Sequence, residues 1–457
     1  MNRTLLLLVA LLACFAFPAG SSEELVRKHF EARTGSALVA LVTDGDERRV
    51  FAEARPGEAN PGAVFEIGSI TKVFNVMLLV DMVGRGEVAF DTRIGELLPG
   101  VALHPDIAAI TLLELATHTS GLPRLPVSPG MFARLILKSQ DPYAGTTRQD
   151  LIKALQAVEP GERGSFEYSN FGAALLGQLL AERAATPWEA LLRERVLEPQ
   201  GLTELWLDVR DVPSGRLVEA RGENGRVVPH WRLDAYAPAG GMAASAAGLA
   251  GFVEWQMRSP ELWQAAAKTG VPVLGWMERE IDGERVLWHN GGTGGFRSFA
   301  AFLPGKNRGV VVLANGAAGV EPLGIRLLGL DLADKAPEPR WGWAAMTLLF
   351  LAIPPLSLLG GLWRWRVRKD YPFASRLQCL SALAAYAFLL AVSFRSGAFE
   401  LVPIALAWVS LVLSVAAALA LLPGLRGLGW RNATRMKTAA SLLGVVCFGL
   451  LAIVFAT

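Results

Sequence analysis

Beyond residue 340 the chain carries four apolar runs almost free of charge, at about 343–362, 377–394, 401–422 and 438–456. Each approaches the ~20 residues that an α-helix needs to cross the hydrocarbon layer of a bilayer. Runs this continuous are rarely the buried helices of a water-soluble core, so the sequence predicts four membrane spans behind a separate domain. The loops between the runs differ in charge. Arg364, Arg366, Arg368, Lys369 and Arg376 lie between the first two, and Arg426, Arg431, Arg435 and Lys437 between the last two. The loop between the second and third holds only Arg395. Basic loops stay on the cytoplasmic side. That places everything before residue 331 on the outer side, with Trp341, Trp343, Trp363 and Trp365 as interfacial anchors of the first span. The other end of the chain agrees. Arg3, the apolar stretch from Leu5 to Phe17 and the small residues Ala19-Gly20-Ser21 have the layout of a secretory leader. The expected organisation is a leader over 1–20, a folded domain over 21–330, a linker over 331–341 and four transmembrane helices over 342–457.

This asymmetry explains an apolar fraction of 52% that describes neither part well. The formal charge of +2 and the lack of a basic stripe interleaved with aromatics give no reason to expect a nucleic-acid partner. Cys14, Cys379 and Cys447 all lie in apolar terminal runs, so residues 21–330 contain no thiol and no disulfide. An exported domain of that kind is held by its core alone.

Within 21–330 the signals change along the chain. Ser21-Ser22-Glu23-Glu24 caps a helix expected to run to about Arg33 and to stop at Gly35. Ala37–Thr43 and Arg48–Ala54 read as a hairpin closed by Asp44-Gly45-Asp46. Ile70–Val83 is nearly all apolar and suits a buried helix. The stretch from about 105 to 270 has a mostly helical pattern, and strands return at Arg285–His289, Phe296–Leu303 and Gly309–Ala314. Strands at both ends around a helical middle predict an α+β domain. Its antiparallel sheet joins first strands to last, helices flank it, and the middle forms a mostly helical second lobe.

Three local patterns carry chemistry. In Ser69-Ile70-Thr71-Lys72, a hydroxyl and an amine three residues apart at a helix start share one face. A Lys with a lowered pKa there takes the hydroxyl proton. Lys72 is also the only charge in a long apolar run up to Asp81. In Tyr168-Ser169-Asn170, the phenol is suited to relay a proton and the amide to bind a substrate carbonyl. In His289-Asn290-Gly291-Gly292-Thr293, glycines permit close backbone approach and strand N–H groups suit an oxyanion. Each pattern alone has an ordinary explanation: a capped helix with a surface Lys, an N-cap beside a core aromatic, a glycine-rich hairpin. Their order along one chain is what separates this sequence from those explanations.

That order resembles the serine β-lactamase and penicillin-binding protein superfamily, and most of all class C β-lactamases with their esterase and D-Ala-D-Ala carboxypeptidase relatives. The segments Ile110-Thr111-Leu112-Leu113-Glu114-Leu115-Ala116-Thr117-His118-Thr119-Ser120-Gly121-Leu122-Pro123 and Leu197-Glu198-Pro199-Gln200-Gly201-Leu202 strengthen the likeness. It covers about residues 25–330. The resemblance implies that Ser69 is the acyl-accepting nucleophile, Lys72 its activating partner and Tyr168 the proton shuttle. It implies Asn170, His289, Gly291, Gly292 and Thr293 as substrate contacts, with the oxyanion held by the N–H groups of Ser69 and Gly292. No cofactor and no metal is implied, and the chain has neither zinc-hydrolase spacing nor Gly-x-Ser-x-Gly. The expected substrate is a peptidoglycan peptide, a β-lactam or a small ester, and the expected setting is the outer face of a bacterial cytoplasmic membrane. A slow ligand sensor or wall-binding protein built on the same domain is the alternative reading. His289 stands where such β-lactamases carry Lys. With an ordinary imidazole pKa of ~6.5, it is expected to lose most of the charge that carboxylate substrates use, and to regain it toward pH ~6. His118 and Ser120 read as loop-ordering residues, and His104 and His230, lacking partners at metal-ligand spacing, as surface or loop residues.

Overall fold

The computed structural model describes residues 19–32, 35–55, 60–126, 141–222, 225–316, 318–331, 341–396 and 404–430, with single positions 402, 441 and 445. The expected leader up to residue 18, the linker 332–340 and nearly all of the fourth apolar run fall outside them. The chain divides into two compact units, 1–222 with 227–334, and 335–457 with 223–226.

In the first unit, helix α1 (Ala19–Glu31) begins two residues before the Ser21 expected to cap it. Strands β1 (Ala37–Asp44) and β2 (Glu47–Ala54) form the expected hairpin. After β3 (Val64–Glu66), a 3-10 turn over Gly68–Ile70 leads into helix α2 (Thr71–Gly84). The helical middle contains α3 (Leu112–Ala116), α4 (Arg148–Ala157) and α5 (Asn170–Ala184). Strands β4 (Leu205–Trp206) and β5 (Ala243–Ser245) interrupt it, and helix α6 (Ala246–Arg258) follows. Strands β6 (Met277–Ile281), β7 (Glu284–Gly292), β8 (Phe296–Leu303) and β9 (Arg308–Asn315) precede helix α7 (Glu321–Leu327).

The main sheet has the order β2-β1-β9-β8-β7-β6, antiparallel throughout, so the first strand does meet the last. β1 alternates between two cores because successive side chains leave opposite faces. Val39 and Leu41 pack with Phe65, Phe74 and Leu313 toward the helical middle. Leu38, Ala40 and Val42 pack with Val26, Val312 and Leu323 on the other face. Two elements escaped the sequence reading. β6 is an edge strand whose Glu-Arg-Glu centre hides its period. The small sheet β3-β5-β4 consists of segments of two or three residues.

The closure of β1 on β9 is locked by one buried side chain. Asn315 accepts from the N–H groups of Ser36 and Ala37 at 2.8 Å each. Its amide donates to Ser36 Oγ at 2.8 Å and to the Glu219 carbonyl at 2.9 Å.

The second unit contains α8 (Trp341–Arg368), α9 (Arg376–Ser396) and α10 (Ile404–Leu421). Among the described residues, three helices are long and apolar enough to cross a membrane: Ala344–Arg368, Arg376–Ser393 and Ala405–Arg426. Four were expected; of the fourth, 438–456, only residues 441 and 445 are described. Polar contacts join these segments: Ser410 Oγ of α10 donates to the Leu351 carbonyl of α8 at 2.5 Å, the hydroxyl of Tyr371 in the loop after α8 donates to the Leu421 carbonyl at 2.8 Å, and Arg376 Nε of α9 donates to the Leu425 carbonyl at 3.1 Å.

Asn315→Ala leaves two buried N–H groups, the Ser36 hydroxyl and the part-buried Glu219 carbonyl without this partner. The first unit should lose about 2–3 kcal/mol of unfolding free energy, read as a lower urea midpoint; an unchanged midpoint would refute the lock.

Candidate active site

From Ala63 to Leu79 every residue is buried except Ser69, which alone reaches solvent at the 3-10 turn. The turn is clamped from both sides. Ile67 N–H donates to the Met242 carbonyl at 3.0 Å, and Ser298 Oγ donates to the Ile67 carbonyl at 2.8 Å. Gly68 has φ +50°, and a Cβ there would lie 2.7 Å from Gly292 N. At Gly291 a Cβ would lie 2.0 Å from the Ile67 carbonyl oxygen. Only glycine lets the end of β7 lie flat against this turn. The Ser69 N–H, in the first turn of a helix, is one of those without an intrahelical partner. It is thereby brought near the main chain of Gly292.

Lys72 is 3% exposed, and its Nζ lies 3.1 Å from Ser69 Oγ and 2.6 Å from the Ala239 carbonyl oxygen, to which it donates. Burial, helped by the positive charge of Arg124, holds its amine well below the ordinary lysine range. In the neutral form one N–H satisfies Ala239 while the lone pair faces the Ser69 hydroxyl. The Nζ also sits 4.9 Å from the centre of the Tyr168 ring. Burial pushes the Tyr168 phenol up to about 12, although the Ser69 hydroxyl and Arg124 both work the other way. The same dry surroundings therefore favour a neutral amine and a protonated phenol. Of the two groups, Lys72 is the one suited to accept the Ser69 proton and Tyr168 the one suited to donate.

Tyr168 and Asn170 are set by the residue between them. Ser169 is the N-cap of α5: its Oγ accepts from Gly172 N–H at 2.8 Å and donates to the Pro123 carbonyl at 2.7 Å. The ordinary N-cap explanation of this motif is thus correct, and the cap is what aims its neighbours. His118 supports the same junction. Its Nδ1 accepts from Ser169 N–H at 3.2 Å, its ring lies 4.6 Å from that of Tyr168, and burial lowers its pKa to about 3. Asn170 Nδ2 donates to the Tyr143 hydroxyl at 3.2 Å, while its Oδ1 is buried with no partner among the described residues. An orphaned acceptor costs free energy unless a ligand or water donates to it.

On β7 the side chains alternate. His289 and Gly291 face the helix side, whereas Asn290 points away and donates to Glu321 Oε1 at 2.6 Å. Thr293 stands at the following turn, with its Oγ1 buried and without a partner among the described residues. Sequence-separated segments around 69, 168 and 290 thus meet.

Residues 23–333 match the β-lactamase family, more than half of the chain. The chain belongs to the β-lactamase family. The D-alanyl-D-alanine-carboxypeptidase/endopeptidase AmpH of Escherichia coli (strain K12) is 29% identical over 317 residues, 61% of this chain and 79% of that protein. Penicillin-binding protein 4 of Amycolatopsis lactamdurans is 26% identical over 348 residues, 67% of this chain and 88% of its own. Among solved structures, the class C β-lactamase from Rhodobacter sphaeroides superposes with a TM-score of 0.57 at 22% identity, covering 68% of this chain and 97% of that one. The β-lactamase/D-alanine carboxypeptidase from Yersinia pestis gives 0.54, also at 22%, covering 66% and 94%. These two share the fold. At family level the chain is a serine hydrolase of the β-lactamase and penicillin-binding type.

Within this family His289 behaves unlike the ordinary imidazole assumed from sequence. It is 2% exposed, and its Nδ1–H donates to the Asn290 carbonyl at 2.7 Å, which leaves Nε2 as an acceptor. Burial first, and the Lys72 charge second, lower its pKa to about 4 against a small opposing effect of that hydrogen bond. Its ring is therefore expected to stay neutral near pH 6, where the sequence predicted a gain of charge. His230 lies in a loop as expected, yet it also has a partner. It is half-buried, its Nδ1 lies 2.8 Å from Oε1 of buried Glu66, and its ring stacks on Phe296.

Two residues of the site were missed from sequence. Tyr143 meets Asn170 through its hydroxyl. Arg124 holds its guanidinium carbon 5.3 Å from the centre of the Tyr168 ring. Arg124 directly follows the Leu122-Pro123 that closes a recognised segment, which was the only signal available.

Two measurements test this geometry. Gly68→Ala should slow acylation by a fluorophosphonate about 10²–10³-fold, as for loss of an oxyanion donor; a rate within about threefold of the parent would sink the clamp. Nitrogen-15 NMR of the imidazoles should find His289 neutral from pH 8 down to 5.5. A protonation midpoint near 6.5 would contradict its burial.

Proposed function

We propose that this protein is a membrane-anchored acyl-serine hydrolase acting outside the cytoplasmic membrane, with Ser69 as nucleophile. The observation that carries the reading is the half-buried hydroxyl of Ser69 beside a buried, pKa-lowered Lys72 and a protonated Tyr168. Lys72 accepts the Ser69 proton as Oγ attacks the substrate carbonyl. The N–H groups of Ser69 and Gly292 hold the oxyanion. The proton passes by way of Tyr168 to the departing amine or alcohol, leaving an ester on Ser69. Water, activated by the same pair, then releases the acid and restores the Ser69 hydroxyl. Asn170 binds the acyl-side amide through its side chain, whose Oδ1 is otherwise orphaned, and Gly291 and Thr293 line the strand side with His289.

For substrate we favour peptides ending in a D-amino acid, the class named for the AmpH relative, with β-lactams and small esters as alternatives. A neutral His289 offers no charge to a carboxylate lying along β7. Such a site handles penicillins poorly relative to uncharged esters. The bilayer is the second partner. Three apolar helices and the basic segment Arg364–Arg376 support an anchor whose basic loop is cytoplasmic, behind a cleaved or retained leader, a hydrolase domain over 21–330 and a linker over 331–341.

One labelling experiment tests nucleophile and orientation together. Intact spheroplasts carrying the full chain are treated with a membrane-impermeant fluorophosphonate, and the adduct is mapped by mass spectrometry. Label on the peptide containing Ser69, absent in Ser69→Ala, is expected. Label on another serine would refute the nucleophile, and label only after lysis would refute the orientation.

A further inference from the structure

Arg124 is an exposed residue at the end of the loop that closes on α5, and its position is fixed by its main chain. Its carbonyl accepts from Asn170 N–H at 3.1 Å and from Phe171 N–H at 3.2 Å. Its main chain thus joins the start of α5 at Asn170, and its guanidinium carbon lies 5.3 Å from the centre of the Tyr168 ring. Arg48, Arg163, Arg216 and Arg285 in the same unit are each held by a carboxylate. Arg124 has no such partner among the described residues. Across the site His289 on β7 is buried and engaged with Asn290, and Arg297 on β8, opposite Gly292, commits its Nη1 to the Thr293 and Phe296 carbonyls at 2.9 and 2.7 Å. The guanidinium over the Tyr168 ring is thus a positive charge on the Tyr168–Asn170 side that no carboxylate of the described residues holds. A guanidinium resting on an aromatic face keeps its edge N–H groups free, and their fork matches a carboxylate.

We propose that Arg124 binds a carboxylate carried by the acyl part of the substrate, making an anionic acyl group the preferred one. The inference rests on the hydrolase reading above. It adds a substrate class that the family motifs do not specify: an amide or ester whose acyl portion, rather than its leaving group, bears a negative charge near the scissile carbonyl. The effect of Arg124 on its neighbours is consistent with this placement, since its charge reaches Lys72, Tyr143 and Tyr168.

The test compares three esters on the full-length protein in detergent. They are 4-nitrophenyl glutarate (acyl carboxylate), 4-nitrophenyl butyrate (neutral) and the butyryl ester of 4-hydroxybenzoate (leaving-group carboxylate). The glutarate-to-butyrate ratio of kcat/KM should fall about 10- to 100-fold in Arg124→Gln and Arg124→Ala, the range of a charge-assisted hydrogen bond. It should fall further in Arg124→Glu and be partly kept in Arg124→Lys. Added salt should lower the ratio in the parent protein and barely move it in Arg124→Gln. An unchanged ratio overturns the inference, as does an equal loss on all three esters, which marks a purely structural role. Dependence that follows the hydroxybenzoate ester instead overturns the acyl-side assignment. Each variant is compared with the parent only after fluorophosphonate has been seen to label its Ser69. No label and no ester turnover in the parent would overturn the hydrolase reading together with this one.

Discussion

The site depends on the main chain at the end of β7 lying directly on the Ile67–Ser69 turn. Helix α2 and the six-stranded sheet are joined there by backbone rather than by side chains, because Gly68 and Gly291 leave no Cβ between them. Ser298 from β8 completes the clamp by bonding the Ile67 carbonyl. The joint brings the N–H of Ser69 and the main chain of Gly292 together while both belong to rigid elements. A loop-borne site would hold such donors less accurately. The larger packing serves this joint. β1 and β9 close the sheet, Asn315 locks the closure, and the two buried faces leave the end of β7 no other position.

Burial then sets the chemistry. One dry pocket lowers the pKa of Lys72 and His289 and raises that of Tyr168, because each shift follows from the cost of charge away from water. The consequence is an uncharged centre, with an amine able to accept a proton and a phenol able to give one. Charge is kept at the rim, on Arg124. Two buried polar atoms, Asn170 Oδ1 and Thr293 Oγ1, find no partner among the described residues. They are the acceptors one expects where a ligand completes the structure.

The second unit suits a different solvent. Among the described residues, large apolar side chains that are exposed before residue 341 amount to Val50, Phe166 and Val227; the rest, including Leu356, Val412 and Leu419, lie on α8, α9 or α10 and the turn after it. In water such surfaces would drive association. In hydrocarbon they are simply solvated, and helices are the form in which backbone polar groups pair internally.

Local pattern was enough for whatever is set by near neighbours. Ser69 and Lys72 share a helix face because three residues make nearly one turn. Ala37–Ala54 is a hairpin because alternation and a Gly turn say so, and the apolar runs are long because a bilayer is thick. The glycines at 291 and 292 were also legible as points of close approach, though not what approaches them. Everything that required distant segments to meet was decided by tertiary structure. The edge strand β6 exists because β7 offers it a partner, since its own Glu-Arg-Glu centre argues against a strand. His230 pairs with Glu66 across 164 residues of chain. Arg124 became a site residue only when its loop bonded to the start of α5. Most tellingly, the sequence identified His289 as a departure from its relatives but attached to it the pKa of an imidazole in water. Folding removed the water, and an imidazole without water or a counter-charge stays neutral.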